Sequence, residues 1–127
     1  GLIGSAELAT LRENGVTVFA RSAFLQGLIV MAEVDVPEAL REVLPAKRRL
    51  TALAKREGRS VLELALQYPL TVPAVDCLVI GCETIQQFEQ NLAWRDAPPL
   101  TASELADIAD LARDLPEWIT KPWEWPK

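Results

Sequence analysis

The reactive side chains of this sequence are few, and they limit the chemistry it can do. The chain holds two cysteines, Cys77 and Cys82, and no histidine. Because Ser-His-Asp and Cys-His catalysis both need an imidazole base, both are excluded within this chain. A structural zinc site needs about four Cys or His ligands, so no metal site is expected. We expect Cys77 to be a buried, inert thiol in an apolar strand and Cys82 to lie near a helix start.

The main candidate for a binding site is the segment LVIGCETIQQFEQNL, residues 78–92. Its apolar run ends at Ile80, the chain turns through Gly81 and Cys82, and Thr84 is a residue type that caps helices. The free N–H groups at such a helix start favour an anion, and phosphate is the usual one. Every junction from a strand to a helix exposes such amides, so a purely structural turn is the alternative.

Helix start and stop signals define the elements that would position this segment. A helix that has begun by residue 5 ends at Gly15. Pro37 and Pro45 suit the first turns of a short helix and of a longer one that Gly58 ends. Three pairs at capping-box spacing then predict helices near 61–68, 85–94 and 102–114: Ser60 with Glu63, Thr84 with Gln87, and Thr101 with Glu104.

Two short apolar runs, residues 16–20 and 77–80, are predicted to be buried strands. Helices separate them, so they are expected to pair in parallel through a crossover rather than as a hairpin. Parallel strands of this kind need cover on both faces. Since two strands make no complete sheet and the chain starts at Gly1 without Met, we expect part of a larger unit, although tag removal would leave the same start.

The charge balance argues against two classes of partner. A net charge of −5 and a pI near 4.8 do not suit binding to nucleic acid or to an anionic membrane. The basic residues at 46–50 are predicted to form a solvated helix face. No run approaches the roughly 20 apolar residues of a membrane span, and no signal peptide precedes the first element. We therefore expect a cytoplasmic protein.

Three segments resemble the C-terminal part of the aldo-keto reductase family: GVTVFARSAFLQGLI at 15–29, LAKREGRSVLELALQYPLTVPAVDCLVIGCETIQQFEQNL at 53–92 and PPLTASELADI at 98–108. In order and spacing they match strand 7 with its loop, helix 7, strand 8, the cofactor-binding turn and the helices that follow. The resemblance implies an α/β fold, a C-terminal fragment of a (β/α)₈ TIM barrel that is mostly helical with two short parallel strands. Residues 1–96 would be barrel elements, and residues 97–127 a C-terminal helix and Trp-rich tail.

The resemblance also implies an activity for the parent enzyme. Members of the family are NAD(P)-dependent oxidoreductases that transfer hydride between the nicotinamide and an aldehyde, ketone or sugar carbonyl. Their catalytic Asp, Tyr, Lys and His come from earlier strands. The single tyrosine here, Tyr68, lies on the helix before the second strand, and we expect it to pack in the core. This chain would hold no catalytic residue and would be inactive by itself.

Position by position, the resemblance implies a cofactor site for NADP or NAD. Arg21 falls where the family packs a side chain against the nicotinamide ring, the loop after it borders the pyrophosphate, and the later turn and helix meet the adenosine. Glu83 stands where many NADP-binding members have Lys or Arg. A carboxylate repels a 2′-phosphate and accepts a hydrogen bond from a free ribose hydroxyl, so NAD(H) stays beside the commoner NADP(H). The implied cofactor residues are Arg21, Ser22, Phe24, Gln26, Gly81, Cys82, Glu83, Thr84, Gln87, Gln90 and Asn91.

A second hypothesis comes from another class of protein. The chain would then be a non-catalytic helical scaffold or interaction module derived from a barrel, with Trp118, Trp123 and Trp125 as a partner surface. The Pro-punctuated tail could equally close the underside of a barrel. In either case, open strand edges predict possible self-association of the fragment.

Overall fold

The computed structural model describes residues 6–126, and most of its regular structure is helical. The α-helices are α1 (Ala6–Glu13), α2 (Leu44–Glu57), α3 (Val61–Thr71), α4 (Ile85–Arg95) and α5 (Ala102–Arg113). Short 3₁₀ helices span Leu25–Gly27, Glu33–Asp35, Glu38–Val43, Glu117–Thr120 and Pro122–Glu124. The short helix predicted after Pro37 is therefore of the 3₁₀ type. The predicted start of the first helix at residue 5 lies outside the described residues.

The two strands, β1 (Phe19–Arg21) and β2 (Cys77–Val79), pair in parallel as the sequence predicts. Their predicted burial is wrong: Phe19 is 64% and Val79 55% exposed. Cys77, predicted to be a buried thiol, is exposed as well. Side chains alternate between the two faces of a strand, so covering one face of this two-stranded sheet leaves the other in solvent.

The capping signals hold in part. Thr101 and Glu104 form a complete capping box at the start of α5. Ser60 caps α3 by accepting the Glu63 N–H, but the Glu63 carboxylate bonds to Arg59 instead of reaching back. Helix α3 also runs beyond its predicted end near residue 68, with Pro69 in its last turns. Proline has no N–H, so Pro69 does not make the helical bond to the carbonyl four residues earlier.

Two apolar clusters hold the helices together. The first is built from the segment after β1 and from the tail, and its buried members are Leu28, Val36, Leu40, Val43 and Ile119. The second joins α2, α3 and α5, and its buried members are Leu53, Ala54, Leu64, Leu100 and Leu111. Tyr68 packs against the second cluster, and burial raises its pKa. That position agrees with the structural role expected for this tyrosine.

The tryptophans of the tail do not form one exposed surface. Trp118 and Trp125 pack against the first apolar cluster. The Trp125 indole N–H also donates to the Ile119 carbonyl at 3.0 Å. Trp123 is 70% exposed. Two of the three rings therefore stabilise the fold, because they cover apolar side chains that would otherwise face water.

The basic segment of α2 is solvated only in part. Arg48 pairs with Glu33, and Arg49 pairs with Asp110 of α5, both at exposed positions. Lys47 is buried, contrary to the prediction, because its ammonium reaches two backbone carbonyls. Burial lowers the pKa of Lys47, and the Glu33 carboxylate opposes that shift.

A buried ion pair fixes the start of α5 against α3. Glu104 accepts from the Thr101 N–H at 2.7 Å and from Arg59 Nε at 2.9 Å, and Arg59 also donates to Glu63. Burial raises the pKa of Glu104, but the bonds from Thr101 and the charge of Arg59 outweigh it, so the pKa lies below its ordinary value. Such a carboxylate stabilises the fold while it is ionised.

We expect Glu104→Gln to lower the free energy of unfolding by about 2 to 3 kcal/mol at neutral pH, because Arg59 loses a charged partner in a buried site. Since the folded pKa is lowered, the stabilisation is present above the unfolded pKa and disappears as pH falls through the folded one. Urea unfolding from neutral to acidic pH measures both effects. Asp96→Asn, which breaks the exposed Arg95 pair, should change stability little. An equal loss in both variants would contradict the assignment.

Candidate functional site

A cavity of about 940 Å³ opens where the two strands end. Arg21 and Val79 are partners in the sheet, so both strands point their carboxyl ends to the same edge. The segment after β1 forms one wall, and the turn before α4 forms the other. Ligands of open parallel sheets bind at this edge, and the volume is in the upper range of cofactor sites.

Nearly all the residues predicted to bind cofactor line this single cavity. Thr84 does not line it; its hydroxyl accepts the Gln87 N–H at 3.1 Å and caps α4. Segments far apart in sequence meet here because of the parallel pairing. The predicted residues lining the cavity are Arg21, Ser22, Phe24, Gln26, Gly81, Cys82, Glu83, Gln87, Gln90 and Asn91.

The wall after β1 has an unusual backbone. Ser22, Leu25 and Gln26 have φ values of 63°, 45° and 51°, and Gly27 follows at 84°. A bulky residue such as leucine rarely adopts a positive φ, and each such residue costs about 1 to 3 kcal/mol. Turn hydrogen bonds hold the segment, among them Leu25 N–H to the Ser22 carbonyl at 2.9 Å. The strained backbone places this tight, polar-edged turn directly beside the end of β1.

The opposite wall uses some of the amides that the sequence suggested for an anion. The Glu83 N–H donates to the Gln87 side-chain oxygen at 2.8 Å, and the Gln87 N–H is taken by Thr84. The buried Asn91 donates through Nδ2 to the Cys82 sulfur at 3.2 Å. The turn is therefore pre-ordered by its own side chains, which fixes Gly81 and Cys82 at the cavity mouth.

The sequence reasoning missed several lining residues, among them Leu62 of α3, Trp94 of α4 and Val30. Trp94 lies four residues after Gln90, on the same helical face, so helix periodicity could have indicated it. Leu62 has no such signal, because it comes from a different helix. The buried Gln67 of α3 donates through Nε2 to the carbonyls of Trp94 and Ala97, and thereby ties the end of α4 to α3.

The charges of the cavity are balanced. Among the described residues that line it, Arg21 is the cation and Glu83 the anion, and the others are neutral. Arg21 ends β1, and Glu83 precedes α4, so the two charges belong to opposite walls. Within residues 6–126, no three Cys, Asp and Glu side chains gather as metal ligands would. None of the helices described there has the length and apolar character needed to cross a membrane.

Comparison with protein families gives one match that covers most of the sequence. Residues 5–113 match the model of the aldo/keto reductase family. The chain belongs to the aldo/keto reductase family. The resemblance stated from the sequence motifs is thereby confirmed.

The relatives described here are longer than this chain. L-galactose dehydrogenase of Arabidopsis thaliana is 32% identical over 89 residues, which cover 68% of this chain and 27% of that protein. A nucleoside triphosphate pyrophosphatase of Mycobacterium sp. (strain JLS) is 30% identical over 105 residues, covering 80% of this chain and 44% of that protein. The names of these two relatives describe different activities.

A solved structure supports the fold class. The holo form of an aldo-keto reductase from Bacillus halodurans superposes with a TM-score of 0.70 at 29% identity, over 82% of this chain and 36% of that chain. The two parallel strands and their helices are thus part of an α/β barrel of the aldo/keto reductase type, as predicted. This aldo/keto reductase chain spans between about a quarter and somewhat under half the length of these relatives.

We expect Gly27→Ala to lower the free energy of unfolding by about 1 to 2 kcal/mol, because a Cβ disfavours the left-handed backbone that Gly27 adopts. Gly81→Ala is the matched control: a Cβ at either position meets no atom within 4 Å, and Gly81 lacks a positive φ. Urea unfolding of both variants measures the difference. If Gly27→Ala loses no more than Gly81→Ala, the turn does not need its strained shape.

Proposed function

We propose that this chain forms the adenosine and pyrophosphate part of the nicotinamide cofactor site of an aldo/keto reductase. The parent enzyme would transfer hydride between NAD(P)H and an aldehyde, ketone or sugar carbonyl. The observation that supports this most is the gathering of the implied cofactor residues around one cavity at the carboxyl ends of β1 and β2. In the proposed division of the chain, residues 1–96 supply barrel elements, and residues 97–127 the C-terminal helix and tail.

The residue types suit the proposed ligand. The cofactor supplies the hydride, and the chain supplies polar groups that hold and orient its other end. The hydroxyl of Ser22 and the turn through Gly27 would border the pyrophosphate. Asn91 and Gln90 have amide side chains, which both donate to and accept from an adenine edge. The half-buried Trp94 adds an aromatic face for packing.

The single tyrosine of this chain, Tyr68, is not placed to be the acid of the reaction. Protonation of a carbonyl needs a positioned donor within hydrogen-bond reach. Tyr68 packs against the second apolar cluster and does not line the cavity, so it is not placed for that step. In our proposal, the catalytic residues come from segments of the enzyme outside this chain, and the 127 residues contribute binding and orientation.

The charge on the ribose side favours NAD(H). Glu83 lies on the wall that we assign to the adenosine ribose, and no Lys or Arg accompanies it there among the described lining residues. A 2′-phosphate would bring negative charge beside this carboxylate in a partly desolvated cavity. We therefore propose that the unphosphorylated cofactor is preferred.

We expect the folded chain to bind NADH in isothermal titration calorimetry, with a dissociation constant of about 1 mM or tighter. Asn91→Ala should weaken binding by about five- to tenfold, the worth of one hydrogen bond. Gln90→Ala, at an exposed position, serves as a second variant, and Glu89→Ala, which does not line the cavity, is the control. Folded protein that binds neither NADH nor NADPH would overturn the proposed function.

The cofactor preference has its own test. Glu83→Lys should lower the ratio of the NADPH to the NADH dissociation constant by at least about tenfold, because it replaces repulsion of the 2′-phosphate with attraction. Glu89→Lys makes the same charge change on α4 away from the cavity. Equal changes in both variants would show a general charge effect and would contradict a role for Glu83 in selecting the cofactor.

A further inference from the structure

Lys47 is a buried lysine that forms no ion pair with any residue of the range 6–126. It lies in the first turn of α2 with 9% of its surface exposed. Its ammonium donates to the Leu28 carbonyl at 2.6 Å and to the Ile29 carbonyl at 2.7 Å. Ordering and desolvating a long cationic side chain is unfavourable, so these two bonds need a structural or functional reason.

The carbonyls belong to a segment that needs external support. Residues 22–31 contain the three non-glycine residues with positive φ, and the segment ends in a single turn in which Val30 and Met31 both donate to the Gly27 carbonyl. Strained backbone persists only where the surroundings over-determine it. The Leu28 side chain is fully buried in the first apolar cluster, which anchors one side of the segment.

The ammonium anchors the other side. The Leu28 and Ile29 carbonyls come directly after the Gly27 carbonyl at the end of this helical turn. The last carbonyls of a helical turn have no N–H partner within the turn. A cation is favourable there, as it is at a helix C-terminus. In the described part of the chain, Lys47 is the donor that reaches both carbonyls. It therefore links α2 to the turn without entering the cavity.

The same segment forms a wall of the cavity. Ser22, Gln26, Gly27 and Val30 line it, and Lys47 does not. We propose that Lys47 is a positioning residue, which clamps the Leu28 and Ile29 carbonyls so that the strained segment keeps the shape in which it meets the pyrophosphate of the dinucleotide. This proposal rests on the proposed function for its ligand and on the hydrogen bonds for its clamp.

The test combines a local and a functional readout on Lys47→Met, which keeps most of the length of the side chain and removes its charge and its donors. Hydrogen exchange by NMR would follow the amides of Leu28, Val30 and Met31, with the Leu64 amide of α3 as the global reference. We expect at least tenfold faster exchange of the loop amides relative to Leu64, and at least fivefold weaker binding of NADH.

Two further variants complete the design. Arg49 lies on the same helix as Lys47 and pairs with carboxylates of α5 and its C-terminal end. Arg49→Met therefore removes a cation from α2 without touching the turn, and it should change neither readout. Lys47→Arg keeps the positive charge and the N–H donors, so it should restore part of the loop protection and part of the NADH affinity. It is the variant to measure if Lys47→Met does not fold.

The outcomes separate the clamp from the ligand. Faster loop exchange in a chain whose wild type binds no dinucleotide would support the clamp and overturn the proposed function. Loop and Leu64 amides that change in the same ratio would overturn the clamp. Faster loop exchange with unchanged NADH affinity would overturn the positioning role.

Discussion

The parallel pairing of two three-residue strands is the constraint on which the site depends. The contact between the two segments extends to the residues just before the strands. The Val18 N–H donates to the Asp76 carboxylate at 2.7 Å, and the Val18 carbonyl accepts from the N–H groups of Asp76 and Cys77. Because parallel strands end at the same edge, residues after β1 and residues after β2 are brought together from distant parts of the sequence. An antiparallel pairing would have sent the two walls of the cavity to opposite ends of the sheet.

The helices around the sheet are held together in part by polar side chains. Gln67 fixes the end of α4 to α3, and Glu104 with Arg59 fixes α5 to α3. Each replaces water at a backbone or charged group that burial would otherwise leave unpaired, and leaving such a group unpaired is costly. The strained turn after β1 is held in the same way, by Leu28 in the core and by Lys47 at its carbonyls.

The exposed face of the sheet has a simple geometric cause. Phe19 and Val79 are exposed apolar residues of the two-stranded sheet. In the longer aldo-keto reductase structure to which this chain is similar, the fold is a barrel. In such a barrel, both faces of every strand are covered, by helices outside and by side chains inside. The sequence pattern of β1 and β2 is therefore that of a strand covered on two sides, although only one side is covered within these residues.

Local sequence was enough to predict the helices of this protein, their caps at Thr84 and Thr101, the parallel strands and, through family motifs, the residues around the cavity. The helices and their caps depend on propensity and capping chemistry, which act within a few residues, whereas the parallel pairing follows from the crossover connection between the strands. Only the tertiary structure decided that Cys77 is exposed, that Lys47 is buried, and that Leu62 and Trp94 line the cavity. Burial depends on which elements pack together across the chain, and no local pattern specifies that packing.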